Sequence, residues 1–232
     1  MTGILLDLGR TDYKTALEIQ KSLVERRAGD EVPDVLVLVE HENVITLGRK
    51  TTPENLRPQA VPVFQVERGG DATYHGPGQL VGYPILKLAD HDVRRHVRTM
   101  ERALIAAAGR WGIHAETSDV HPGVWVQGLK LASIGVAVTN WVSYHGFALN
   151  VNTDMSYFEL IRPCGLDPRS MTSMEKLLGE KLDFCAVKRA VAEEYSLAAG
   201  EMFSADGASD LLRSQDRERI WGPASLESRN VK

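Results

Sequence analysis

The tetrapeptide Arg162-Pro-Cys-Gly165 sets a cysteine between a proline and a glycine. Both neighbours interrupt regular structure, so the thiol is predicted on a bend and not in mid-helix. A thiol presented this way can act as a nucleophile once a nearby cation favours its thiolate. Lys130 is the cation in the unusual setting. If residues 129–138 form a strand, the period of two puts Lys130 on one face with Ala132, Ile134, Val136 and Val138. An ammonium at the end of an apolar face loses hydration, which disfavours its charge and suits it to trade a proton with a neighbouring sulfur. Each residue also has a plainer reading, the cysteine as a small hydrophobe and the lysine as a strand-end side chain reaching water. Residue types alone leave both open. Cys185, in Asp183-Phe-Cys-Ala-Val187, opens a helical pattern and fits the inert reading.

Three other segments carry chemistry-bearing types. The run from Arg68 to Gln79 holds four glycines in twelve positions, a backbone that can approach a ligand without Cβ obstruction or simply turn. It is not a nucleotide P-loop, because it lacks G-x-x-x-x-G-K-[ST] and leads into a strand. In Ser143-Tyr-His-Gly-Phe-Ala-Leu-Asn150, alternation groups Gly146, Ala148 and Asn150 on one face and His145, Phe147 and Leu149 on the other. The small face leaves room for an alkyl chain or lets a neighbouring strand pack closely. Arg94, Arg98 and Arg102 recur every four residues with Arg95 beside them, either a dock for an acidic partner or an ordinary solvated face. His75, His121, His145 and Cys164 show no short ligand spacing, so no metal site is predicted.

The elements that must position these groups follow from periodicity. Ala16, Leu17, Ile19 and Leu23 predict an early amphipathic helix capped at Gly29, and Val93, Val97, Met100, Leu104, Ala107 and Trp111 predict a second over 92–111. Strands are predicted at 35–39, 44–47, 61–66 and 80–88. Stretches 123–127, 129–139 and 143–151 then read as an antiparallel meander. Helices follow at about 172–179 and 184–199. Strands that cluster instead of alternating with helices favour an α+β class, a mixed, largely antiparallel sheet flanked by helices. One domain is expected over 1–200, with a polar, peripheral tail over 201–232 that carries one helix near 210–221.

Bulk properties narrow the class. The chain has 232 residues, 43% hydrophobic and 25% charged, ordinary globular proportions for one sizeable core. No apolar run approaches a membrane span, and the N-terminus is unlike a signal peptide, so a soluble, unprocessed protein is expected. Two cysteines without paired spacing point to thiols in a reducing cytoplasm. A net charge of −4 argues against nucleic acid as a partner.

Taken together these segments resemble the lipoyl(octanoyl) transferase family, the octanoyl-acyl carrier protein:protein octanoyltransferases, over about residues 5–197. Four blocks carry the resemblance: Glu40-His-Glu-Asn-Val-Ile-Thr-Leu-Gly-Arg49, residues 68–79, residues 123–138 leading into 145–152, and Arg162-Pro-Cys-Gly165 followed by Met171-Thr-Ser-Met-Glu175. Glu42 stands where the family commonly has proline, and the tail past about 200 has no counterpart. The resemblance implies the fold of biotin and lipoate protein ligases and of class II synthetase cores. It implies Cys164 as the acyl-thioester nucleophile and Lys130 as its acid/base partner. It implies three acyl-binding stretches: Arg68, Gly69, Gly70, Asp71, Ala72, Thr73, Tyr74 and His75; Ser133, Ile134 and Gly135; Gly146, Phe147 and Ala148. It further implies acyl carrier protein as donor, with lipoyl domains of 2-oxoacid dehydrogenase complexes and the glycine cleavage H protein as acceptors. Neither ATP nor metal is required, because the donor is already a thioester. Backbone donors for an oxyanion are sought at Gly76 to Gly78 or at Gly165. Two rivals remain, an ATP-dependent lipoate or biotin protein ligase and a non-catalytic acyl-carrier-binding protein.

Overall fold

The computed structural model describes residues 2–51, 61–161, 170–212 and 214–221. Its centre is β2 (Val35–Glu40), whose sequence VLVLVE is buried from Val35 to Val39. Such a continuous apolar run needs cover on both faces, and β2 has it. Leu36 and Leu38 join one hydrophobic cluster, while Val35, Val37 and Val39 join another across the sheet. The first cluster is closed by α2 (Val93–Gly109) and α4 (Phe184–Ala199), the second by α1 (Tyr13–Ala28). Each helix begins at an aspartate whose carboxylate accepts a first-turn N–H: Asp12 from Thr15, Asp92 from Arg95, Asp183 from Cys185 and Ala186. Gly29 is the C-cap of α1, as expected, its N–H donating to the Glu25 carbonyl, and the next residue, Asp30, takes the left-handed conformation, φ 58°.

Around β2 lie β1 (Gly3–Arg10), β6 (Gln79–Ile85), β7 (Glu116–Thr117), β8 (Gly123–Val126), β9 (Leu129–Thr139), β10 (Val142–Asn150) and β11 (Phe203–Ser204). They form one sheet in the order β11-β1-β2-β6-β10-β9-β8-β7. Only β11/β1 and β1/β2 are parallel, so the sheet is mixed and largely antiparallel, flanked by helices. The expected meander is β8-β9-β10. A smaller sheet holds β3 (Val44–Leu47) between β4 (Val63–Gln65) and β5 (Ala72–His75).

The structure departs from periodicity in three places. β1 is a full strand, although its apolar run sits against the N-terminus and reads as too short. β5 lies inside the glycine-rich run expected to be loop; its four residues are all buried against β3. The stretch past residue 200 is not peripheral as far as Leu212. Phe203 and Ser204 extend the sheet, and Ala208, Leu211 and Leu212 are buried in the α1-side core. Two helices stand there instead of one, α5 (Ala208–Leu211) and α6 (Ser214–Trp221). The helix expected at 172–179 is shorter, α3 (Met174–Leu178), capped by Ser173. No helix among the described residues is long and apolar enough to cross a membrane.

Candidate active site

A cleft opens where the small sheet meets the large one, and residues 68–70 are the strap between them. Arg49 and Lys50 donate to the carbonyls of Arg68 and Gly70 on one side, and Gly69 donates to Val136 of β9 at 2.9 Å on the other. Glycine is required where the strap touches down. A Cβ on Gly48 would stand 2.5 Å from the Gly70 carbonyl, and one on Gly135 would stand 3.1 Å from the Gly69 carbonyl. The Arg68 guanidinium is buried along β3 and donates to the Thr46 carbonyl and hydroxyl at 2.8 and 2.9 Å. The cleft encloses about 620 Å³, measured to its open mouth. Arg68, Gly69, Gly70, Asp71, Ala72, Thr73 and His75 line it. So do Lys130, Ser133, Ile134, Gly135, Gly146, Phe147 and Ala148. Tyr74 does not. Alternation along β5 sends its ring to the opposite side, stacked on Tyr157 at 4.9 Å, with its hydroxyl donating to Asn43.

Lys130 reaches this cleft by a route that simple alternation misses. Trp125 of β8 faces Lys130 and Val124 faces Ala132, so Leu131 is the extra residue of a bulge in β9. A bulge reverses the inside-outside parity beyond it. Ala132, Val136 and Val138 therefore pack toward α2 and α4, while Lys130 lines the cleft with Ser133 and Gly135. This corrects the expectation that Lys130 shares the face of Ala132. The lysine is 6% exposed and its Nζ lies 5.2 Å from the Trp125 ring centroid, a cation on an aromatic face. Its stem crosses Gly123, where a Cβ would come within 2.8 Å of Lys130 Cε.

A second local distortion acts on β10. His145 has φ 55° inside the strand, a left-handed backbone that costs energy in a non-glycine residue. Across from it lies Pro84 of β6, which has no N–H for the ladder. The β6/β10 pairing is accordingly regular only from Phe147 to Asn150, and the His145 N–H donates instead to Gln20 of α1 at 2.9 Å. The distortion turns the imidazole into the cleft, whereas Leu149, with which alternation groups it, packs in the core toward α2 and α4. Gly146 serves strand approach: a Cβ there would stand 2.2 Å from the Gly82 carbonyl. Of the two readings of the small-residue face, close packing holds for Gly146.

Burial keeps the histidines neutral. It depresses His75 to about 3, His145 to about 4, and His41, just behind the cleft, to about 4. His41 Nδ1 meets the Thr11 carbonyl, so that nitrogen carries the proton and Nε2 accepts from the Tyr83 hydroxyl, both at 2.7 Å. His75 Nδ1 likewise donates to Gln79 Oε1 at 2.8 Å. From there a one-directional chain continues, Gln79 Nε2 to Asn150 Oδ1 at 2.9 Å and Asn150 Nδ2 to the Thr172 carbonyl at 2.9 Å. Thr172 N–H then donates to the Lys130 carbonyl at 3.0 Å, and Met171 bridges Lys130 as a parallel partner.

Several lining residues carry no local signal in the sequence: Tyr13 of α1, Val81 and Tyr83 of β6, and Met171. A helix-start tyrosine and two residues of an all-apolar strand look like core, and that is why composition does not find them. Gly76 and Gly78 do not face the cleft. Gly78 N–H donates to Glu40 and its backbone packs on Asn152, so that N–H is already engaged. Cys164 and Gly165 lie outside the described residues; the chain enters that stretch from Ile161 and leaves it at Ser170, and Ile161 and Met171 share one apolar cluster. Among the described residues no three His, Cys, Asp or Glu side chains come together to hold a metal ion. Arg94, Arg98 and Arg102 are exposed on α2 and line a groove with Thr117, Ser118, Asp119 and Pro122.

Residues 12–196 match the family described as the lipoyl protein ligase A/B catalytic domain. The chain is similar to the octanoyltransferase of Syntrophobacter fumaroxidans, 47% identical over 199 residues that cover 82% of this chain and 87% of that one. Among solved structures it is similar to lipoate-protein ligase A bound with ATP, with a TM-score of 0.72 at 16% identity over 95% of this chain and 94% of that one. It is also similar to the Aquifex aeolicus biotin protein ligase in complex with biotin and ATP, with a TM-score of 0.52 at 10% identity over 86% and 70% of the two chains. At such identities the structural likeness concerns the fold.

Proposed function

This chain is an acyltransferase of the lipoyl protein ligase A/B catalytic-domain family, on its octanoyltransferase side, and from that premise we propose that it moves an octanoyl group through a thioester on Cys164. The donor is the phosphopantetheine thioester of acyl carrier protein and the acceptor a lysine of a lipoyl domain, from 2-oxoacid dehydrogenase complexes or the glycine cleavage H protein. The observation that carries this reading is the β9 bulge, which turns a buried ammonium toward a cleft lined also by Arg68 and Asp71, by neutral histidines, and by glycines and apolar side chains. A buried ammonium at a cleft wall is placed to give and take protons with a group bound there.

The steps balance without a further reagent. The Cys164 thiolate attacks the donor carbonyl; the pantetheine sulfur leaves and takes a proton from the Lys130 ammonium. The acceptor amine then attacks the acyl-enzyme, the Cys164 thiolate leaves, and Lys130 takes the proton lost as the amide forms. The resting ion pair is restored. Because the donor is already activated, the reaction needs neither ATP nor a metal ion, and it takes place in the cytoplasm.

The acidic carrier docks on the arginine side of α2. That groove ends at Pro122, one residue before the Gly123 that supports the Lys130 stem. Octanoyl-carrier and a lipoyl domain, mixed with the enzyme in the absence of ATP, are expected to yield octanoylated domain by mass spectrometry. In the same assay Arg94→Glu with Arg98→Glu raises the carrier KM at low salt, and the difference shrinks as salt is added. Modification only from ATP with free octanoate would contradict the transfer reading, and an unchanged KM at low salt would remove the docking face.

A further inference from the structure

We propose that Asn150 is a positioning residue which, without touching substrate, holds the segment following Cys164 in register with Lys130. The proposal rests on the reading of Cys164 and Lys130 given above.

Asn150 is the last residue of β10 and is 1% exposed. Both ends of its amide are engaged. Its oxygen accepts from Gln79 Nε2 and its nitrogen donates to the Thr172 carbonyl, each at 2.9 Å. Gln79, also 1% exposed, is fixed in turn by His75 and by the Tyr74 carbonyl. The orientation of every amide in this chain follows from its partners, since each acceptor meets one donor.

At the far end the chain reaches backbone and not a side chain. Thr172 receives the Asn150 hydrogen bond on its carbonyl and spends its N–H on the Lys130 carbonyl. Met171 completes the bridge to Lys130, and Glu175 N–H bonds the Val151 carbonyl one residue past Asn150. Residues 171–175 are therefore sewn between the first turn of β9 and the end of β10, and Asn150 is the side-chain member of that seam. The seam starts seven residues after Cys164 in sequence, and it fixes residues 171–175 relative to Lys130. The β9 bulge needs such an anchor, because the ladder to β8 is irregular between Val124 and Trp125, beside Lys130.

Asn150→Asp separates the two halves of the amide. The aspartate keeps an oxygen for Gln79 and, when ionised, has no proton for the Thr172 carbonyl. Two measurements on the full chain decide the matter: the single-turnover rate of acylation by saturating octanoyl-carrier, and the pH dependence of Cys164 alkylation by iodoacetamide. Asn150→Asp and Asn150→Ala are expected to slow acylation about 10- to 100-fold, the penalty for misplacing a reacting group by about an ångström, with the donor KM within about two-fold of wild type. Their alkylation midpoints move up toward the midpoint of Lys130→Met. In the Lys130→Met background, Asn150→Ala then adds less than about three-fold, because both substitutions remove one coupled effect. Full additivity, or slow acylation with an unmoved alkylation midpoint, would overturn the proposal and leave Asn150 a structural residue. A wild-type enzyme that forms no acyl adduct would instead refute the reading on which the proposal stands.

Discussion

Lys130→Met is expected to slow octanoyl transfer by roughly 10²- to 10⁴-fold, the usual size of a positioned acid/base group, while leaving the protein folded, with a change in stability too small to account for the loss. The two halves of this expectation have different causes. Methionine nearly matches the lysine stem that runs over Gly123 and along the Trp125 ring, so no cavity opens. Removing a charge that is 6% exposed removes both its desolvation penalty and the interactions that offset it, so the two losses largely cancel. What is lost is the proton given to the leaving sulfur and later recovered from the amine. Lys130→Arg is expected to be nearly as slow, since a guanidinium keeps its charge at all relevant pH and cannot pass the proton on. Steady-state kcat and thermal melting, measured together, check the pair. A loss of activity that tracks a fall in Tm would assign Lys130 to the fold and not to the reaction.

Acid should unfold this protein early, between about pH 3.5 and 5.5, because four histidines are folded in the neutral state. Burial depresses His41, His96 and His145 to about 4 and His75 to about 3. All four are at most 7% exposed. In the unfolded chain each titrates near 6.5. Below that value the unfolded state binds more protons, so the stabilisation is complete above about pH 6.5 and drains away as the pH falls toward the folded values. Four protons correspond to about 5 kcal/mol per pH unit once the unfolded imidazoles are charged, against a total of about 5–15 kcal/mol for an ordinary domain. One to three pH units suffice. Tryptophan fluorescence or circular dichroism against pH at fixed salt measures the midpoint. His96 offers a control outside the cleft, since its Nε2 is buried without a hydrogen-bond partner among the described residues; His96→Gln should lower the slope by about one proton. A flat stability from pH 7 to 5 would contradict the account.

The fold class, the β8-β9-β10 meander and the three long helices were legible because each rests on a sustained period, as in the alternation of β2 into two cores or the buried stripe of α2. The cleft was legible only through whole blocks of residues. Period two put Lys130 and His145 on the wrong faces, and in both cases a single residue breaks the rule. Leu131 is the extra residue of a bulge, and His145 takes a left-handed backbone opposite a proline. Neither event has a local composition signal, since leucine in a strand and histidine in a strand are both ordinary. Lys130 and His145, the two side chains turned into the cleft, are ones whose orientation depends on pairing with a distant strand. The same dependence hid β5, whose glycine-rich neighbours outweigh four residues that become a strand only by pairing with β3. It also hid the inclusion of Phe203, Leu211 and Leu212 in the core, which a polar average conceals.

The most direct test of the central claim is the mass of the protein after brief exposure to octanoyl-carrier without acceptor. One octanoyl group per chain is expected, mapped to Cys164, released by hydroxylamine at neutral pH, absent from Cys164→Ala, and passed to a lipoyl domain when one is added. An unmodified wild-type protein that still octanoylates the domain, or an adduct that persists in Cys164→Ala, would contradict it.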